Sequence, residues 1–198
     1  MKKTFSLLSA FISVSLLLTP VSINASTSDD RAIQKTLKSL IGSIRYGKDH
    51  IAAKKISFAD MSRELLADDF NKLTANEQKE VISGLEKIIR AISFVKGRSM
   101  FKYLDALLFE TAKIDGDRAR IKSTVVIHRN LKKTEIIFEW IMIKHNGSWK
   151  VLDTIMLGES TLKGLREEQV KPLLQKGGTQ AVLKALREKV AEVSQKQK

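Results

Sequence analysis

The sequence predicts an α+β fold, a curved four-stranded antiparallel sheet wrapped by N- and C-terminal helices. Three observations predict it. Up to Gly97 the apolar residues recur at helical spacing. From Leu107 to Leu157 they alternate as in strands, around two tight-turn signals. From Leu162 onward helical spacing returns. Grouping helices before and after the strands, rather than between them, argues α+β over a doubly wound parallel sheet.

Asp29 to Gly47 places Ile33, Leu37, Leu40, Ile41 and Ile44 on one face, an amphipathic helix ending near Gly47. Phe58 to Phe70 predicts a second helix, with Phe58, Met61, Leu65 and Leu66 on one side. Thr74-Ala75-Asn76-Glu77 is a capping box opening a third, whose apolar face runs Val81, Leu85, Ile88, Ile89, Ile92 until Gly97 interrupts it. Strands follow: Leu107 to Ile114, a turn at Asp115-Gly116, Arg118 to His128, Glu135 to Lys144, a turn at Asn146-Gly147, and Trp149 to Leu157. Two helices close the chain, about Leu162 to Gln175 and Thr179 to Val193, separated by Gly177-Gly178.

The N-terminus reads as a cleavable secretory leader. Lys2 and Lys3 are its positive region, Phe5 to Leu18 its apolar region, and Pro20 ends any helix. Ile23-Asn24-Ala25 places cleavage after Ala25. The apolar run is about 14 residues, short of the roughly 20 that span a bilayer. An uncleaved anchor is the alternative. The domain plan is therefore a signal peptide over 1–25 and one domain over 26–198, and the expected location is the periplasm. The chain has no cysteine, which excludes thiolate chemistry and cysteine-bound metal. It carries a net charge of +13. Export and the scattered placement of the lysines argue against nucleic acid, and transient contact with an anionic membrane surface fits better.

Catalytic patterns are sparse. His50, His128 and His145 have no partner at metal-ligand spacing, and neither a phosphate loop nor a nucleophile elbow occurs. Asp153 alternates with Trp149, Val151, Ile155 and Leu157 on one strand face, so a general base with raised pKa, partnered by His128, is one reading. A carboxylate paired with a cation or capping a backbone group is the other. Glu139 is expected to pair across the sheet. Arg166 and Arg187 are expected on helix surfaces, where either could meet a phosphate. The surplus of isoleucine, leucine, valine and phenylalanine fits a filled core or a hollow one, which periodicity does not distinguish.

The segment from Trp149-Lys150-Val151 through Asp153, Gly158 and Ser160 resembles the W-K-V-x-D-x-x-x-x-G-x-S signature of the MlaC family, also called toluene-tolerance proteins. The likeness continues through Leu162, Arg166, Gly177 or Gly178, Leu183, Leu186 and Lys189, and upstream in Leu73-Thr74-Ala75-Asn76-Glu77-Gln78. The resemblance implies a periplasmic phospholipid-binding carrier, the soluble component of an ABC-transporter lipid trafficking system. Such a protein holds lipid in an apolar cavity between sheet and helices. Its implied partners are phospholipid, an inner-membrane ABC transporter complex and an outer-membrane lipoprotein complex. No cofactor or metal is expected; the bound phospholipid is cargo. The inward sheet positions expected to meet it are Ile121, Val125, Ile127, Phe138, Trp140, Met142, Val151 and Ile155. A small periplasmic enzyme using Asp153 and His128, or an adaptor that binds only protein, are the alternatives.

Overall fold

A computed structural model describes residues 27–196, so the leader assigned to residues 1–25 lies outside the described residues. Helix α1 (Ser28–Arg45) begins where the Thr27 hydroxyl accepts from the Asp30 amide. All five of its predicted apolar positions, Ile33, Leu37, Leu40, Ile41 and Ile44, are buried. A short helix α2 (Asp49–Ala53), not predicted, follows Gly47, and Arg98 Nη2, donating to both carboxylate oxygens of Asp49 at 2.8 and 2.9 Å, ties it down. Helix α3 (Phe58–Leu66) runs on as a 3₁₀ turn over Ala67–Lys72. The predicted capping box opens α4 (Ala75–Ile89): the Thr74 amide donates to Glu77 and the Glu77 amide to the Thr74 hydroxyl. Gly97 does not end this helical stretch, contrary to expectation. A π-turn over Arg90–Phe94 leads into α5 (Val95–Phe101), with Gly97 inside it. A β-carbon there would sit 3.2 Å from Ile44, so this glycine lets α1 and α5 approach closely rather than breaking a helix.

The sheet has six strands instead of four: β1 (Leu104–Phe109), β2 (Lys113–Asp115), β3 (Arg118–Arg129), β4 (Lys132–His145), β5 (Ser148–Met156) and β6 (Glu159–Ser160). All neighbours are antiparallel, in the order β1-β3-β4-β5-β6, and β2 also pairs with β3. The expected first strand is split because the amide of Ala112 leaves the ladder to donate to the buried Asp30 carboxylate, at 2.8 Å. The extra strand β6 is a two-residue edge on β5. Glu139 does pair across the sheet, with Arg120 at 3.3 Å.

One irregularity reorders a whole face. Ile141 pairs with Asp153, but the next residue, Met142, pairs with Val151. Leu152 is therefore an extra residue in β5. A bulge reverses side-chain parity beyond it. Trp149 and Val151 share the inner face with Met142, whereas Asp153 and Ile155 stand on the outer face with Ile141 and Glu139. Simple alternation had put Asp153 and Ile155 inward.

After β6, α6 (Thr161–Leu165) passes through a second π-turn, Arg166–Val170, into α7 (Lys171–Gln195). As predicted, Gly177-Gly178 breaks the helical geometry, Gly178 at φ +61°. Arg187 makes a bidentate pair with Glu80 at 2.7 and 2.8 Å, which docks α7 on α4. The helices bury their apolar faces against the inner face of the sheet in a single core.

Candidate functional site

The inner face of the sheet is built from paired rows. Ile121 faces Trp140, Ser123 faces Phe138, Val125 faces Ile136, and Met142 faces Val151. The rings of Phe138 and Trp140 stack with centroids 5.4 Å apart, and the Trp140 indole donates to the Ser123 hydroxyl at 2.8 Å. Six of the eight residues expected to meet lipid, Ile121, Val125, Phe138, Trp140, Met142 and Val151, lie buried together in this wall. Ile127 is half-buried on the same face, towards the β3–β4 turn. Ile155 is not with them: the bulge at Leu152 turns it to the outer face beside Glu139.

Open space lies along the border between the helices and β5. A groove of about 480 Å³ runs between α2, α3, α4 and β5. Its floor includes Ala53, Ile56 and Phe58, all members of the core, so the groove lies directly on the protein's apolar core. Its rim carries Lys54, Lys150, Arg90, His50 and one carboxylate, Glu86. A second groove of about 310 Å³, beside Trp149 and α1, shares Lys54 and Lys150 and adds Lys35 and Lys55. Arg90 contacts Glu86 at 3.3 Å, while Lys54 and Lys150 have no carboxylate partner among the described residues. An apolar floor under unpaired ammonium groups suits an amphiphile with an anionic head.

The grooves are shaped by the edge of β5. The amide of Ser57 donates to the Val151 carbonyl and the amide of Val151 to the Lys55 carbonyl, both at 2.8 Å, which pins the segment after α2 to the strand. Beyond Trp149, its indole and the Lys144 ammonium both donate to the Asp29 carboxylate, at 3.0 and 2.9 Å. Those hydrogen bonds, from Trp149 first and Lys144 second, hold the Asp29 carboxyl below its ordinary value. A depressed carboxyl stabilises the fold above its unfolded pKa of 3.8, and that contribution disappears as pH falls through the folded value. Thermal melts should therefore show Asp29→Asn costing stability at pH 7 and costing progressively less as the pH falls below about 3.8. Equal cost at both ends would show that the carboxylate charge has no part in the anchor.

Sequence reasoning missed this border. The pair Lys54-Lys55 followed by alternating Ile56-Ser57-Phe58 was the available signal. It was hidden because α2 is five residues long, too short for a helical period.

Residues 34–188 match the family described as MlaC protein. The chain belongs to the MlaC family. No curated protein matches it. Among solved structures, a phospholipid-binding protein from Ralstonia solanacearum, in complex with a phospholipid, shares the fold at a TM-score of 0.66 and 12% identity. That alignment covers 83% of this chain and 98% of the other. A function-unknown protein from Mycobacterium tuberculosis aligns at a TM-score of 0.33 and 12% identity, over 85% of this chain and 89% of its own.

In this MlaC chain the signature residues build a clip. Asp153 is buried, and its carboxylate accepts from the Thr154 amide at 2.7 Å, the Ser160 hydroxyl at 2.5 Å and the Leu162 amide at 2.9 Å. The Ser160 hydroxyl in turn accepts from the Lys163 amide, capping α6. Gly158, at φ +84°, makes the turn that brings Ser160 back. The pairing of Asp153 with His128 is overturned. His128 is exposed and pairs with Lys133 near the far end of β3, whereas Asp153 pairs through Ile141 with Arg120, eight positions earlier on that strand. Arg166 and Arg187 are also engaged within the protein: Arg166 donates to the Glu64 and Leu65 carbonyls at the end of α3. Among the described residues no three His, Asp or Glu side chains gather to hold a metal.

Proposed function

We propose that this MlaC-family chain is a phospholipid-binding carrier of the periplasm. It moves lipid between the outer and inner membranes as the soluble partner of an inner-membrane ABC transporter complex and an outer-membrane lipoprotein complex. The carrying observation is the groove whose floor is the hydrophobic core and whose rim holds the unpaired Lys54 and Lys150. Family membership and the phospholipid-bound neighbour of the same fold support the reading, and the leader over residues 1–25 supports export.

The physics favours such a shape. Exposing an acyl chain to water costs about 0.8 kcal/mol per CH₂, so transit through an aqueous gap requires the chains to be enclosed. The zwitterionic or anionic head stays at the mouth, its phosphate on Lys54 and Lys150. Two acyl chains need more room than the groove of about 480 Å³, so loading parts the core beneath Ile56 and Phe58, between the helices and the inner face of β3, β4 and β5. The residues predicted from the sequence to meet lipid are the wall that the chains then touch. No covalent step is part of this function.

Native mass spectrometry of protein purified without detergent is the test. We expect bound phospholipid, acquired again from liposomes after stripping. A Lys54→Glu, Lys150→Glu double variant should retain it at least tenfold more weakly, since a hydrogen bond to a charged group contributes about 1.5–3 kcal/mol. Its melting midpoint should barely move, as neither ammonium has a carboxylate partner among the described residues. Protein that never carries or acquires lipid would sink the proposal in favour of an adaptor.

A further inference from the structure

We propose that one end of the sheet is a membrane-docking surface whose partner is an anionic lipid bilayer. Four two-residue turns connect neighbouring strands: Gly116-Asp117, Asn130-Leu131, Asn146-Gly147 and Leu157-Gly158. Antiparallel pairing directs the first and third towards one end and the second and fourth towards the other, where the Leu157-Gly158 turn comes level with Ile137 and the β3–β4 hairpin carries Leu131 further on. The first end is ordinary, with glycine, asparagine and aspartate at the bends. The other end carries a leucine in each turn, at φ +62° for Leu131 and +52° for Leu157. Left-handed backbone is unfavourable for leucine and easy for glycine or asparagine. Both side chains stand in solvent, 98% and 100% exposed. Leucine here harms the turn and packs against nothing among the described residues, so its benefit is sought in a partner.

Neighbouring residues extend the patch. Leu108 and Ile137 flank Thr124 in one row across the outer face, 58% and 62% exposed. Met156 pairs with the inner-face Phe138, so Leu157 after it comes level with Ile137 at the β5 end of that row. Charge selects the occupant. The β3–β4 hairpin flanks Leu131 with Arg129, Lys132 and Lys133, against Glu135, which pairs with Lys133 at 2.8 Å, and Asp105 near it, while Glu159 follows the Leu157 turn. The opposite end mixes signs about its first turn, with Asp115 and Asp117 beside Lys113 and Arg118, the latter paired with Glu64. Apolar tips within a basic collar match a surface of hydrocarbon beneath anionic headgroups. Residues of this kind insert to the acyl boundary while the cations meet phosphate. The carrier reading supplies the reason a membrane would be met, but none of these observations depends on it.

Vesicle flotation tests the inference, using vesicles of phosphatidylglycerol with phosphatidylcholine and of phosphatidylcholine alone. The wild-type protein should float with the anionic vesicles and much less with the neutral ones. A Leu131→Gly, Leu157→Asn double variant should bind the anionic vesicles about 100-fold more weakly, tenfold for each leucine. Its melting midpoint should stay level or rise, because both turns gain residues suited to positive φ. By native mass spectrometry it should carry the same lipid as the wild type. A variant that floats like the wild type overturns the inference. So does wild-type protein that ignores anionic vesicles, the result expected if the leucines face a protein partner. Loss of flotation in the variant supports docking even if neither protein carries lipid, in which case only the carrier reading fails.

Discussion

Asp153→Ala lowers the unfolding free energy by about 3 kcal/mol, a drop of about 6–12 °C in melting midpoint for a chain of this length. The carboxylate is buried and is the shared acceptor for two backbone amides and one hydroxyl. Removing it leaves the Leu162 amide at the start of α6 without its acceptor and releases Ser160, which caps the same helix. Unsatisfied buried donors cost about 1–3 kcal/mol each, and these share one partner, so the losses do not simply add. A catalytic Asp153 predicts the reverse, an intact fold and a lost turnover. Thermal unfolding decides between them: a midpoint within a degree or two of the wild type would show that the clip contributes nothing.

Trp140→Ala should be costlier still, about 3–5 kcal/mol in protein stripped of lipid. The indole is buried, stacked on Phe138 and bonded to Ser123, so truncation opens a cavity and leaves the Ser123 hydroxyl unpaired. Trp140→Phe keeps most of the packing and loses the hydrogen bond, at about 1 kcal/mol. The pair of variants also reports what the inner face is in the empty protein. A wall facing a preformed hollow has little packing to lose, so a cost under about 1 kcal/mol for Trp140→Ala would show that the sheet lines open space. The larger value would mean that lipid enters by parting packed side chains. Against a total stability of about 5–15 kcal/mol, either result is large enough to measure cleanly.

Both variants bear on how far the sequence carried. The capping box at Thr74 and Glu77, the buried stripe of α1, the break at Gly177-Gly178 and the Asn146-Gly147 turn are all where local chemistry put them. Each is written in residues at most a few positions apart. The MlaC signature was legible too, but its role was not. Asp153 serves Ser160 and Leu162, seven and nine residues on, across a turn whose geometry alternation does not encode.

The sequence by itself determined the run of helices, sheet and helices, the α+β class and the family, because period, caps and turn residues act locally. Tertiary structure decided which face Asp153 and Ile155 occupy, since one bulge residue, Leu152, reverses parity for all that follows. It decided that Gly97 brings α1 and α5 together rather than ending a helix, and that Asp30 divides the first strand by capturing the amide of Ala112. It also decided where the interior opens, through the pairing of Lys55 and Ser57 with Val151, nearly a hundred residues away. Those choices depend on which distant groups satisfy buried donors and fill close approaches, and that competition is settled only once the chain has packed.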